Sequence, residues 1–592
     1  MPEQVRLDES GQRSADRRDP DASIPATLSV GLALQIACLV LPGAVMIPTV
    51  VFRAAGQPED VLLWAVFASV AISGATTMLQ ARRIGWFGAG YILAIGTSGA
   101  AIAVSIAALA AGGPALLATM VVVVSLVQFV FSARLSLFRR ILTPTVTGTV
   151  LMLTPVTVMP VMFAQLKNVP SLTPPAAAPL SAITTLVVIA GLTLTAKGRV
   201  RLWAPVIGMI AGSVVAGVFG LYDAQRIVRA SWIGIPRPPW PAMDLHFGPQ
   251  FWALLPAFVF IALVCTIQTI SGAVAIQRVS WAGRRAVDFR AVQGAVAADG
   301  VGNLLSGLAG TMPLGFRPHG ASMVEITGIS SRRVGLALGA ALIVLAFVPK
   351  ALAVILAIPG PVIAAFVTVT MATIFIVGMR VIIQDGVDHR KGLIAGVSFW
   401  VGVGFQSDAI FPGHVSEFAG SLLRNGMLTG GIAAVVMTMF VELTKPRRRR
   451  LEVDLDPSVL HEVRRFIAAF ASRRGWDAAM VDRLDAVCEE TLLTLEQQRE
   501  SGADTARRRL LLTARGEDGG AVLEFVASTG KENLQDRIAL LGEAAAGAMI
   551  EREVSLRLLR HLASSVHHQQ YHGTDIVTVR VERPAARVAQ GK

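Results

Sequence analysis

Apolar runs near or above the roughly 20 residues that a helix needs to cross a bilayer recur from Leu28 to Leu443 with only brief breaks. Fourteen can be delimited: residues 28–52, 60–81, 88–110, 113–133, 142–165, 179–196, 203–221, 250–277, 291–310, 313–329, 334–357, 361–379, 392–406 and 427–443. In water such segments have nowhere to hide their apolar surface. The pattern therefore specifies an all-α polytopic membrane protein, spanning 28–445, with a soluble appendage. Composition agrees: 53% of the 592 residues are hydrophobic and 16% charged, against about 45–50% and about 25% in soluble domains. Three cysteines (Cys38, Cys265, Cys488) exclude a disulfide scaffold. No metal site, cofactor or enzyme activity is expected.

The net charge of +13 suggests nucleic acid only until its distribution is read. Residues 451–592 hold 19 Lys+Arg against 22 Asp+Glu, residues 1–27 hold 4 against 6, and residues 28–450 hold 30 against 12. The excess lies in connections between spans, so no nucleic-acid partner is expected. With the N-terminus inside, even-numbered connections collect 22 Lys+Arg and odd-numbered ones 7. That is the positive-inside bias, and it places both termini in the cytoplasm of a cell whose inner (plasma) membrane holds the spans. Residues 1–27 are polar and lack an apolar h-region, so they read as a disordered cytoplasmic arm rather than a cleaved signal peptide. Residues 446–450 form a basic linker whose Arg447–Arg450 run suits anchorage at an anionic leaflet.

The third and tenth runs are poor helices. They contain Gly96-Thr97-Ser98-Gly99 and Met312-Pro313-Leu314-Gly315-Phe316-Arg317-Pro318. Broken backbone is tolerated at membrane depth only where protein or a cavity satisfies it. Breaks at places three and ten predict a seven-plus-seven inverted repeat with a site between the two breaks. Ionisable groups inside spans are costly and usually functional; Asp299, Glu325, Arg317 and His319 are the ones here, with Asp60 and Glu442 at span ends. Arg317 stays protonated. Either Glu325 or Asp299 neutralises it, or it makes the cavity electropositive and favours an anionic solute.

Several stretches resemble the nucleobase–ascorbate transporter family, the xanthine/uracil permeases. Gln35 matches the family's Gln-His, although Ile36 departs. Gly96-Thr97-Ser98 matches its Gly-Thr-Ser, with Gly99 where an aromatic is common. Pro144-Thr145-Val146-Thr147-Gly148 and Gly294 to Gly300, which includes Asp299, fit two further motifs, and Pro349-Lys350 and Ile358 to Val362 two more. The tenth segment departs: Thr327 and Gly328 fit the signature, but His319, Gly320 and Ser322 do not. Gln268 stands where the family has a substrate-binding carboxylate. The resemblance implies a core domain (segments 1–4 and 8–11) and a gate domain (5–7 and 12–14), a proton-coupled carrier of xanthine, urate or uracil class solutes, and a homodimer. It puts Gln268, His319, Gln35, Gly99 and Gly320 at substrate-binding positions and Asp299 at a proton-coupling one; from their own chemistry Arg317 is a further substrate-binding candidate, and His319 and Glu325 further proton-coupling candidates. His319 can donate and accept, and its unperturbed pKa of about 6.5 suits a proton switch. A sulfate-permease type anion transporter and a solute sensor signalling through its tail are the rival readings.

The tail, 451–592, reads as a cytoplasmic α/β domain, with helices over 457–473, 477–500 and 551–568 and strands over 509–513, 521–526 and 576–581. The order resembles the anti-sigma-factor/histidine-kinase type of ATPase domain. Thr494, however, replaces the Mg-binding Asn expected after Glu489 and Glu490. Ala527-Ser528-Thr529-Gly530 stands in for the Gly-rich loop. A regulatory or dimerisation module without ATP binding is the expectation.

Overall fold

The computed structural model describes residues 20–135, 143–167, 169–170, 173–236, 243–281, 286–384, 386, 388–407, 409–410, 423, 425–444, 449–454, 459–500, 509–517, 520–527, 558–572 and 574–582. The chain divides into two compact units. One holds Met1–Ala282 and Ala291–Val441, the other Gly283–Arg290 and Glu442–Lys592.

The first unit runs α1 (Ala26–Ala54), α2 (Glu59–Arg82), β1 (Ala94–Thr97), a 3-10 turn (Gly99–Ala101), α3 (Ile102–Ala133), α4 (Pro144–Leu166), α5 (Ala177–Thr195), α6 (Gly198–Val218) and the short α7 (Ala224–Arg229). It continues with α8 (Pro249–Ser280), α9 (Phe289–Leu308), β2 (Leu314–Arg317), α10 (His319–Thr327), α11 (Arg332–Ala346), α12 (Pro349–Leu356), α13 (Gly360–Gln384), α14 (His389–Gln406) and α15 (Gly426–Thr444). Among the described residues nine helices are long and apolar enough to cross a membrane, or ten if the pair α11 and α12, bent by 84°, counts as one. The sequence overstates uniformity in three ways. The unit is not purely helical, because both broken segments begin as four-residue strands. Segments three and four share one long helix, broken only at Gly112 and Gly113. Gly113 has φ +67°, a left-handed conformation that glycine adopts without steric cost. Finally, the first arm is not free throughout: Pro20 O accepts from Arg332 N at 2.8 Å, Ala22 O from the Ser331 hydroxyl at 2.7 Å, and Asp21 pairs with Arg332 at 3.0 Å.

Helices pack in two groups. In one, α2 lies along α11 and α3 along α8, with α1 across α2 and α11; in the other, α4 lies along α13, α5 along α6, and α14 on α4. Small residues permit the closest approaches, as expected where lipid offers no hydrophobic drive between helices. A Cβ on Gly74 would sit 2.6 Å from Gly339 O, and one on Gly148 would sit 2.6 Å from Gly378 O.

The second unit is a five-stranded antiparallel sheet in the order β3 (Arg449–Asp454), β4 (Arg509–Glu517), β5 (Gly520–Ala527), β7 (Thr574–Glu582), β6 (Ser565–Tyr571), with helices α16 (Val459–Ser472) and α17 (Ala478–Glu500). Leu510, Leu512 and Ala514, Ala521, Leu523 and Phe525, and Val577, Val579 and Val581 alternate along three strands and share one core with Val463, Ile467 and Leu484. Two strands differ from expectation. Arg449 and Arg450 of the basic linker open β3, opposite Ala514 and Thr513. Residues 565–568, expected at the end of a helix, belong to β6, whose polar Ser565-Val566-His567-His568 is held extended by pairing with β7. Arg447, Arg448, Ser528 to Gly530, residues 551–557 and the Thr494 side chain lie outside what is described.

Candidate functional site

The two broken segments meet. β1 pairs antiparallel with β2, Ala94 opposite Arg317 and Thr97 opposite Leu314. Each strand feeds a helix, β1 through the 3-10 turn into α3 and β2 into α10. Strand pairing satisfies backbone groups that a broken span leaves open, and both following helices start beside the crossing, where unpaired N–H groups carry partial positive charge. A polar frame holds the strands from behind. Asn303 on α9 accepts from Leu314 N at 2.7 Å and donates to Gln128 at 2.7 Å; Thr77 accepts from Ile95 N at 3.1 Å.

Arg317, at the end of β2, is 8% exposed. Its guanidinium donates to Thr97 O and covers Gly43 and Gly96: Cβ atoms there would lie 3.6 Å from Cζ and 3.1 Å from Nε. Thr97 in turn donates from its hydroxyl to Gly43 O at 3.0 Å. Neither expected carboxylate pairs with it. Asp299 is fully buried and takes donors from Gln80 at 3.0 Å and from the Thr269 hydroxyl. Glu325 is exposed on α10. Among the described residues Arg317 forms no ion pair.

Gln268 is half-buried on α8, its Oε1 3.5 Å from where a Gly315 side chain would begin. It makes no hydrogen bond among the described residues, so its donor and acceptor are both available beside β2. His319 opens α10, half-buried, and its Nδ1 is buried without a hydrogen-bond partner among the described residues. Gly320 is needed where it stands, since a Cβ would be 2.4 Å from Ile92 O. Gln35 is exposed on α1 and makes no hydrogen bond among the described residues. The strands thus gather Gln268, Arg317, His319 and Gly99 around one crossing, while Asp299 lies behind it and Glu325 and Gln35 lie on exposed faces.

Sequence reasoning missed three participants. Ser98, 3% exposed, accepts from Cys265 Sγ at 3.4 Å and has its Cβ 3.5 Å from a Gly315 side-chain position. Its place inside Gly96-Thr97-Ser98 was signal enough. Gly43 and Met371 have no motif of their own; only the fold brings Gly43 against the Arg317 guanidinium and the Met371 methyl to 2.7 Å from a Gly99 side-chain position.

The model of the xanthine/uracil permease group, described as "Permease family", matches residues 27–409. A putative purine permease of Clostridium perfringens is 28% identical over 71% of this chain and 91% of its own length. The xanthine permease XanP of Escherichia coli K12 is 26% identical over 70% of this chain and 92% of its own. The uric acid permease PucK of Bacillus subtilis is 24% identical over 70% and 96%. Among solved structures, the transmembrane domain of the cyanobacterial bicarbonate transporter BicA is similar at 18% identity, covering 69% of this chain and 96% of that one, with a TM-score of 0.42.

Proposed function

This chain belongs to the xanthine/uracil permease family, and from that premise we propose that it is a secondary active permease for oxidised purines of the xanthine and urate class, driven by protons. The observation that carries the reading is the pairing of Ala94–Thr97 with Leu314–Arg317. It gathers an available amide (Gln268), an available imidazole (His319) and an unneutralised guanidinium (Arg317) around two helix starts. Amide and imidazole match the donor and acceptor edge of a purine. The guanidinium favours the anionic forms that xanthine and urate adopt. Coupling is assigned to His319, whose unpartnered ring nitrogen can take a proton. Asp299, closed in by its two donors, and Glu325, exposed, are left out of that step.

In this reading the fourteen segments form seven-plus-seven inverted repeats in an inner membrane, with both termini cytoplasmic. The packing group of α1–α3 and α8–α11 is the core, that of α4–α6 and α13–α15 the gate, and two copies associate. The tail is regulatory. Uptake of labelled xanthine and urate by cells stripped of their own purine permeases tests the proposal. Saturable uptake, competed by both purines and collapsed by a protonophore, is expected; uptake of sulfate or bicarbonate in place of purine overturns it.

A further inference from the structure

Gly99 opens the 3-10 turn directly after Ser98, and the space its missing side chain leaves is occupied from the other packing group. A Cβ at this position would lie 2.7 Å from Met371 Cε and 3.9 Å from Ile47 Cδ1. Met371 sits on α13, which packs along α4, α5 and α6, whereas Gly99 belongs with β1. The tip of one side chain, on a residue that is 4% exposed, therefore bridges the two groups at the crossing of the broken segments.

We infer that Met371 sets the size of the ring the site accepts, filling from the gate the space Gly99 leaves open in the core; this rests on the transport reading above. Methionine has three rotatable bonds and a polarizable sulfur that contacts aromatic rings favourably. The obstruction is thus the far end of a flexible chain rather than backbone. A planar heterocycle lying against Ser98 and Gln268 displaces that tip and keeps a thioether face. Rotation of the same tip also changes the contact between core and gate, so occupancy of the site and the seating of the two groups are read by one side chain.

The test is inhibition of labelled xanthine uptake by xanthine and by ring-methylated xanthines. Met371→Ala should raise the potency of methylated analogues relative to xanthine by about tenfold, the scale of one methylene in an apolar pocket. Met371→Leu should leave that ratio unchanged. Gly99→Ala should lower it, and Gly99→Ala with Met371→Ala should restore it. An unchanged ratio in Met371→Ala overturns the inference. Should Met371→Ala not fold, Met371→Cys in a Cys38→Ser background replaces it, since Cys38 is exposed and Cys265 and Cys488 are buried. Xanthine should then slow labelling by a thiol reagent, and labelling indifferent to xanthine overturns the inference. A wild type that takes up no purine fells the transport reading itself; a wild type that does, with an unchanged ratio, fells only the Met371 assignment.

Discussion

The side-chain amide of Gln80 donates to Asp299 Oδ1 at 3.0 Å and to Ala295 O at 2.9 Å. With Thr269 on the other carboxyl oxygen, Asp299 joins α2, α8 and α9. Asp299→Leu strands two buried donors at about 1–3 kcal/mol each, and should lower the unfolding temperature in detergent markedly. Asp299→Asn keeps the volume and one acceptor and should cost less. If Asn instead abolished proton-driven accumulation while sparing exchange and stability, Asp299 would be the coupling group after all.

Among the described residues no carboxylate pairs with Arg317, so its charge is open to whatever enters. Coulombic terms in a poorly screened site reach several kcal/mol, and Arg317→Gln should therefore erase the preference for the anionic ligand. Binding measured on both sides of the ligand's own pKa checks this. Equal preference in wild type and variant would mean that Arg317 only braces β1.

Gly96→Ala is a gentler probe of the same residue. The added methyl meets Arg317 at Nε and Cγ, 3.1 and 3.2 Å away, contacts that must yield by a few tenths of an ångström. Weaker substrate binding with near-normal stability is expected. Gly320→Ala meets backbone at 2.4 Å and should instead be destabilising by about 1–3 kcal/mol, visible as loss of folded protein on size-exclusion chromatography.

The mostly helical, membrane-spanning character is legible because apolar run length is a local signal. The strands β1 and β2 are not: their residues announce a break, and only a partner far along the chain makes it a strand. The tail divides in the same way. Leu510, Leu512 and Val577, Val579 alternate and were read correctly; β6 is polar and takes its shape from β7. At the site, Gln268, Arg317 and His319 stand out as polar residues in apolar runs. Asp299 stands out equally, and only the fold shows it taking donors from Gln80 and Thr269.

Nucleotide binding by the full chain should be undetectable by calorimetry with ATP and Mg²⁺. Arg464 donates to Glu489 at 2.8 Å and pairs with Asp485 at 3.0 Å, so both carboxylates already have a cationic partner. A saturable isotherm would reverse the assignment.

Thr97 and Arg317 are 220 positions apart. At about 5–20 residues per second a ribosome needs roughly 10–40 s to make the stretch between them. Throughout that interval β1 has reached the membrane with its pairing edge open, where each unsatisfied backbone group costs several kcal/mol. The first half of this chain must therefore be sheltered, by the insertion machinery or by water, until its second half arrives. Truncation before residue 314 should then yield a protein cleared by membrane proteases rather than a smaller stable bundle.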